Sequence, residues 1–116
     1  MNTKYGSISS SQIHSMKTNI RKAIFFLLLY VDPETKNEYS NIDVCEAFKG
    51  LQYRLNGLNS ILCESPELLN IMCLLEAALM EYNSECFEFS RYRKLILDAG
   101  SEIMKLKEGD ENDTDL

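Results

Sequence analysis

The chain reads as all-α, a small four-helix bundle with up-down antiparallel topology, on three observations. Four stretches of roughly twenty residues carry apolar side chains at helical spacing. Only 5 Gly and 2 Pro occur among 116 residues, and no stretch alternates apolar with polar in the manner of a strand. The breaks between the patterns are mostly short and polar, which suits antiparallel neighbours of ~30 Å each. An orthogonal helical array with the third helix at its centre is the alternative architecture. By composition the chain divides into a frayed N-terminus (1–8), a helical bundle domain (9–108) and an acidic, disordered tail (109–116).

Residues 1–8 show no periodicity. Ser9, Ser10 and Ser11 offer caps for a first helix that ends near Val31, ahead of Asp32-Pro33. Ile13, Met16, Ile20, Ile24, Leu27 and Val31 form its core stripe. The neighbouring polar stripe of His14, Lys17, Thr18 and Arg21 runs on into Phe25, Phe26 and Leu29, so the helix begins amphipathic and finishes apolar all round. Its C-terminal half requires cover.

The segment 32–41 is a polar loop. Ser40 with Asp43 resembles a capping box for the second helix, Asp standing in for the usual Glu. Val44, Phe48, Leu51, Leu55, Leu58 and Leu62 then recur at 4-3-4-3-4. Gly50 and Gly57 share one line on the flank of that helix, either as tolerated surface glycines or as a place where another backbone comes close.

The third helix, PELLNIMCLLEAALMEY, starts with Ser65 as N-cap and Pro66 at the first helical position. Glu67, Asn70 and Glu81 form one narrow polar side. Glu76 points the other way, among Leu69, Met72, Leu79 and Met80, so it is expected in the core. There it would be satisfied by Tyr92 or by an arginine at the same level, Arg21, Arg54 or Arg91 to Arg93. A place at an interface is the second expectation for Glu76, and a role as a catalytic acid the third. The fourth helix carries Phe89, Tyr92, Ile96, Ala99, Ile103 and Leu106, with Gly109 as its stop.

The net charge of −6 misleads. The last nine residues hold five of the 18 acids and no base, leaving 13 acids against 12 bases in residues 1–107. A near-neutral folded part argues against a nucleic-acid partner. The segment 21–31 lies too far from Met1 for a signal peptide, and its apolar run of nine residues (23–31) is too short to span a bilayer. A cytoplasmic chain with reduced cysteines (45, 63, 73 and 86) acting as small apolar fillers is therefore expected.

Enzyme signals are thin. Phosphate loops, GxSxG and HExxH are absent, and His14 is the sole histidine, so no metal or other cofactor is expected. Glu81, Glu85, Glu88, Asp98 and Glu102 read as solvating acids, although carboxylates of a bundle are the basis of an alternative, enzymatic reading. Arg91, Arg93 and Lys94 around Tyr92 make the one basic cluster, which supports a second alternative, a helical accessory subunit of a nucleoprotein complex. The leading reading is a non-enzymatic protein-interaction protein: a small inhibitor, adaptor, chaperone or accessory subunit. A protein partner is expected, with a homodimer foremost. Phe25, Phe26, Leu29 and Tyr30 are the expected contacts, followed by Glu76 and the basic trio Arg91, Arg93 and Lys94.

Overall fold

Ser9 closes the N-terminus of α1 (Ser10–Leu29) through a reciprocal pair of hydrogen bonds. The Gln12 amide donates to Ser9 Oγ, and the Ser9 amide donates to Gln12 Oε1. Asp43 does the same work for α2 (Val44–Ile61), accepting from the Glu46 amide, so Asp43 is itself the N-cap and not the third residue of a box begun by Ser40. Ser65 and Pro66 start α3 (Pro66–Tyr82), and α4 runs Phe89–Met104. The computed structural model describes residues 2–3, 6–7, 9–62 and 65–106. Cys63, the stop at Gly109 and the acidic tail lie outside them. Where a frayed end was expected, Asn2–Thr3 (β1) and Gly6–Ser7 (β2) pair antiparallel.

Contacts between neighbours give the topology. Gln52 Nε2 donates to the Met72 carbonyl and Cys45 Sγ reaches Asn83 Oδ1, so α2 and α3 run antiparallel. Asn70 bonds Glu102 while Glu81 meets Arg91, which sets α3 antiparallel to α4. Tyr92 reaches Leu27 and Lys17 reaches Leu106, which closes α4 against α1. The helices therefore stand in cyclic order as a four-helix bundle, and α3 takes one corner instead of the centre.

The core runs the length of the bundle, with Ile24 and Leu27 of α1, Phe48 and Leu55 of α2, Ile71 and Leu75 of α3, and Ile96 and Ile103 of α4 all but sealed from solvent. Burying each such side chain contributes about 1.5–3 kcal/mol. Tyr92 is fully enclosed, its ring edge-on to Phe48 at 6.3 Å and stacked with Phe89 at 6.4 Å.

The last four carbonyls of α1 all find donors. Phe26 accepts from the Tyr30 amide, Leu27 from the Tyr92 hydroxyl, Leu28 from the Val31 and Asp32 amides, and Leu29 from Thr35 Oγ1. At the far end of the bundle Lys17 performs the matching task. Expected on a polar stripe, it is instead 4% exposed, and its ammonium donates to the carbonyls of Met104 (3.2 Å) and Leu106 (2.7 Å). No basic residue stands in the last turn of α4, so Lys17 supplies from α1 the positive charge that a helix C-terminus favours.

Segment 32–41 is more than a polar loop. A 3-10 turn at Lys36–Tyr39 folds Tyr39 over the end of α1, edge-on to Tyr30 at 5.1 Å and to Phe26 at 6.2 Å. Part of the cover that α1 requires thus comes from within the chain. Gly50 and Gly57 have nothing within 4 Å of a Cβ built on either, so no backbone among the described residues approaches them.

Candidate functional site

Glu76 is exposed, not in the core. The two flanks of α3 exchange the roles that their polarity suggests. Asn70 and Glu81 face α4, where Asn70 Nδ2 donates to Glu102 Oε1 at 3.1 Å and Glu81 holds Arg91. The outer stripe consists of Leu69, Cys73, Glu76 and Met80, all exposed. A polar group satisfied across a helix-helix edge loses little on burial, which frees a helix to keep apolar side chains outside. Tyr92, the partner expected for Glu76, spends its hydroxyl on the Leu27 carbonyl at 2.5 Å. Burial pushes the Tyr92 phenol far above its ordinary ionisation range, with the nearby Tyr82 adding to the shift.

The basic cluster is dispersed. Arg91 is locked in the α3–α4 connection: its Nε donates to Glu81 Oε1 at 2.8 Å, its Nη2 to the Cys86 carbonyl at 2.8 Å, and its Nη1 lies 3.4 Å from Glu88. The Glu88 amide adds a bond to Glu81 Oε2. The hydrogen bond from Arg91 is the main reason the Glu81 carboxyl sits below its usual range, working against its partial burial. Lys94 pairs with Asp98 one turn on, at 3.1 Å. Arg93 is exposed and makes no ion pair with a described residue. Tyr92 is inside, so Arg91, Arg93 and Lys94 form no common surface with an aromatic for nucleic acid to stack on.

Of the acids singled out in the sequence, Glu85 is exposed in the α3–α4 connection, whereas Glu81, Glu88, Asp98 and Glu102 each meet a cation. Glu102 is held below its usual range, first by the bond from Asn70 and then by Lys105 at 3.2 Å. No group of three His, Cys, Asp or Glu side chains converges among the described residues. Cys73 and Cys86 are exposed free thiols, not apolar fillers, and Cys45 is half-buried. No described helix is long and apolar enough to cross a membrane.

Of the aromatic and aliphatic residues at the end of α1, Phe25 is 50% and Phe26 40% exposed. Leu29 and Tyr30 are half-buried, Leu29 with its carbonyl on Thr35 and Tyr30 between Phe26 and Tyr39. The structure thus splits the expected quartet: Phe25 and Phe26 face solvent, while the other two belong largely to the capped helix end. Phe25 is joined by residues of α4 that the sequence did not single out. Leu97 and Met104 are exposed, and Leu97 with Phe25 flanks a groove of about 370 Å³ between α1 and α4 whose lining includes Arg21, Gly100 and Ser101. Helical spacing carried the signal: Arg93, Leu97, Gly100 and Met104 recur at 4-3-4 beside the core stripe of α4. No protein-family model, curated protein or solved structure matches this chain.

Proposed function

We propose that this chain is a non-enzymatic helical protein that acts by binding other proteins, in the manner of a small inhibitor, adaptor, chaperone or accessory subunit. The observation that carries this reading is the half-exposed apolar surface of Phe25, Phe26, Leu97 and Met104 along α1 and α4. Phe25 and Leu97 share the α1/α4 groove and Phe26 adjoins Phe25, so large apolar side chains gather in water on adjacent helices, as at surfaces used for recognition. Among the described residues, Glu81 is tied to Arg91, Asp98 to Lys94, and Glu102 to Asn70 and Lys105, engagements that favour a structural role for these acids.

A photo-crosslinking residue placed at Phe25 tests the reading in living cells. Adducts of discrete mass are expected, and Leu97→Lys should suppress them while the fold persists. A chain that gives no adduct from this surface, and that remains monomeric in sedimentation, would overturn it.

Self-association is a second reading, favoured by the outer stripe of α3. Leu69 and Met80 stand in solvent there, Met80 at 67% exposure, on either side of Glu76. A homodimer through α3 should be weakened by Met80→Lys, whereas Leu97→Lys should leave it intact; the reverse pattern would exclude α3 as the self-contact.

A further inference from the structure

We propose that the α1/α4 groove docks an acidic amphipathic helix of a partner protein. The proposal rests on the interaction reading above and specifies the chemistry of the ligand. Three features of the groove lead to it.

The first is charge. From Ser10 to Leu29, α1 contains no acidic residue. Arg21 and Lys22 are exposed beside Phe25 and make no ion pair with a described residue, and Arg93 stands one turn before Leu97 in the same condition. The acids of α4 lie on its opposite flank, with Asp98 on Lys94 and Glu102 on Asn70 and Lys105. The groove's lining therefore holds one cation, Arg21, among apolar side chains and no acid, while Lys22 shares the adjoining surface with Arg21 and Phe25, in a chain whose net charge is −6.

The second is shape. Gly100 lies in the groove with nothing within 4 Å of a Cβ built there, so the floor is open where a ligand side chain would enter. Phe25 and Leu97 stand on the two walls, and Met104 extends the apolar strip along α4. A groove between parallel walls of apolar side chains receives a helix through anchors at i, i+4 and i+7. Acids beside those anchors would meet Arg21, Lys22 and Arg93.

The third is what the same features disfavour. A second copy docked groove to groove would bring together two surfaces that both lack an acid in their lining, so Arg21 would find no carboxylate of the facing groove to pair with. Nucleic acid would meet three cations interrupted by Phe25 and Leu97, with Arg91 and Lys94 already engaged.

The test is fluorescence anisotropy with the full chain and a labelled synthetic amphipathic helix carrying Leu anchors and flanking Glu. A sequence-matched helix with Lys in place of Glu is the control. Saturable one-to-one binding of the acidic helix is expected, weakening as salt is raised. Arg21→Glu combined with Lys22→Glu should weaken it at least about tenfold, and Leu97→Lys likewise, while Lys49→Glu on α2 should have no effect. Circular dichroism of each variant separates loss of binding from loss of fold. Equal binding of the Lys helix, or indifference to the Arg21 and Lys22 reversals, overturns the proposal. So does binding that appears only after residues 107–116 are removed, since the chain's own acidic segment would then be the occupant. Groove variants that change the sedimenting mass would make a second copy the occupant, and binding confined to polynucleotide would make it nucleic acid. Should the charge reversals fail while the Phe25 crosslinks persist, the acidic chemistry falls and the interaction reading stands.

Discussion

The ammonium of Lys17 sits 2.7 Å from the carbonyl oxygen of Leu106, joining the first helix to the end of the last across a sequence separation of 89 residues. The same ammonium reaches Met104, so one cation from α1 closes the C-terminus of α4. Lys17→Met should leave these acceptors without that donor and cost about 1–3 kcal/mol. Lys17→Arg should cost less because it keeps the charge. The midpoints of chemical denaturation of both variants decide it; equal midpoints for wild type and Lys17→Met would show that solvent replaces the cation freely.

At the other end of the same helix pair, Tyr92→Phe removes the donor to Leu27 and should also cost about 1–3 kcal/mol at neutral pH. Its pH dependence is distinctive. Burial raises the Tyr92 phenol above its ordinary value of about 10, so on raising the pH the unfolded chain loses this proton first. The contribution is complete below about pH 10 and is lost as the pH climbs toward the folded value. Unfolding midpoints measured from neutral to alkaline pH should fall more steeply for wild type than for Tyr92→Phe.

The Arg91–Glu81 pair predicts a loss of stability in acid. Because the folded state holds Glu81 below its usual range, the unfolded chain takes up the proton first as the pH falls. The pair's contribution is therefore present above the ordinary carboxylate range and disappears as the pH drops through the folded value. Arg91→Ala should return the Glu81 titration, followed by carboxyl NMR, toward its ordinary position. Arg91→Lys should restore it only in part, since an ammonium cannot reach Glu81 and the Cys86 carbonyl with the same fork.

Glu76→Ala should change stability by less than about 0.5 kcal/mol, as for an exposed side chain on a helix face. A loss of several kcal/mol would mean that Glu76 is engaged in a contact the isolated chain lacks, and a thermal melt of the variant decides the point.

The four helices and most of their core were legible in spacing, since a sealed apolar stripe at 3-4 intervals has few other ways to be buried. Lys17 shows where that reading slipped. The register Ile13, Lys17, Ile20, Ile24, Leu27, Val31 is an unbroken 4-3-4-3-4 with one lysine in a core position; the stripe through Met16 is wholly apolar but less regular, and the cap is invisible in it. Glu76 and Asn70 show a different limit. A helical wheel ranks faces by polarity, but it cannot tell that Asn70 and Glu81 find partners on α4 and so belong at an edge. The α1/α4 groove was half legible: Phe25 and Phe26 announced themselves as surplus apolar residues, whereas Leu97 and Gly100 acquire meaning only when α4 lies against α1. Tyr39 was a lone aromatic in a polar segment, and what it covers depends on how the chain turns after Val31.

Closure of the bundle by α4 has a consequence for biosynthesis. Ribosomes deliver a chain from its N-terminus at a pace of about 5–20 residues per second. For the interval in which α4 is still within the exit tunnel, Leu68, Ile71, Leu75 and Ala78 of α3 lack the helix that contributes much of their cover, and the Leu27 carbonyl lacks its donor. The nascent polypeptide thus passes through a sticky, unfinished stage that ends only when the region around Tyr92 emerges. Chains halted with α3 outside the tunnel and α4 still within it should recruit ribosome-associated holdases and be degraded rapidly, and chains tethered far enough beyond Leu106 for α4 to emerge should not.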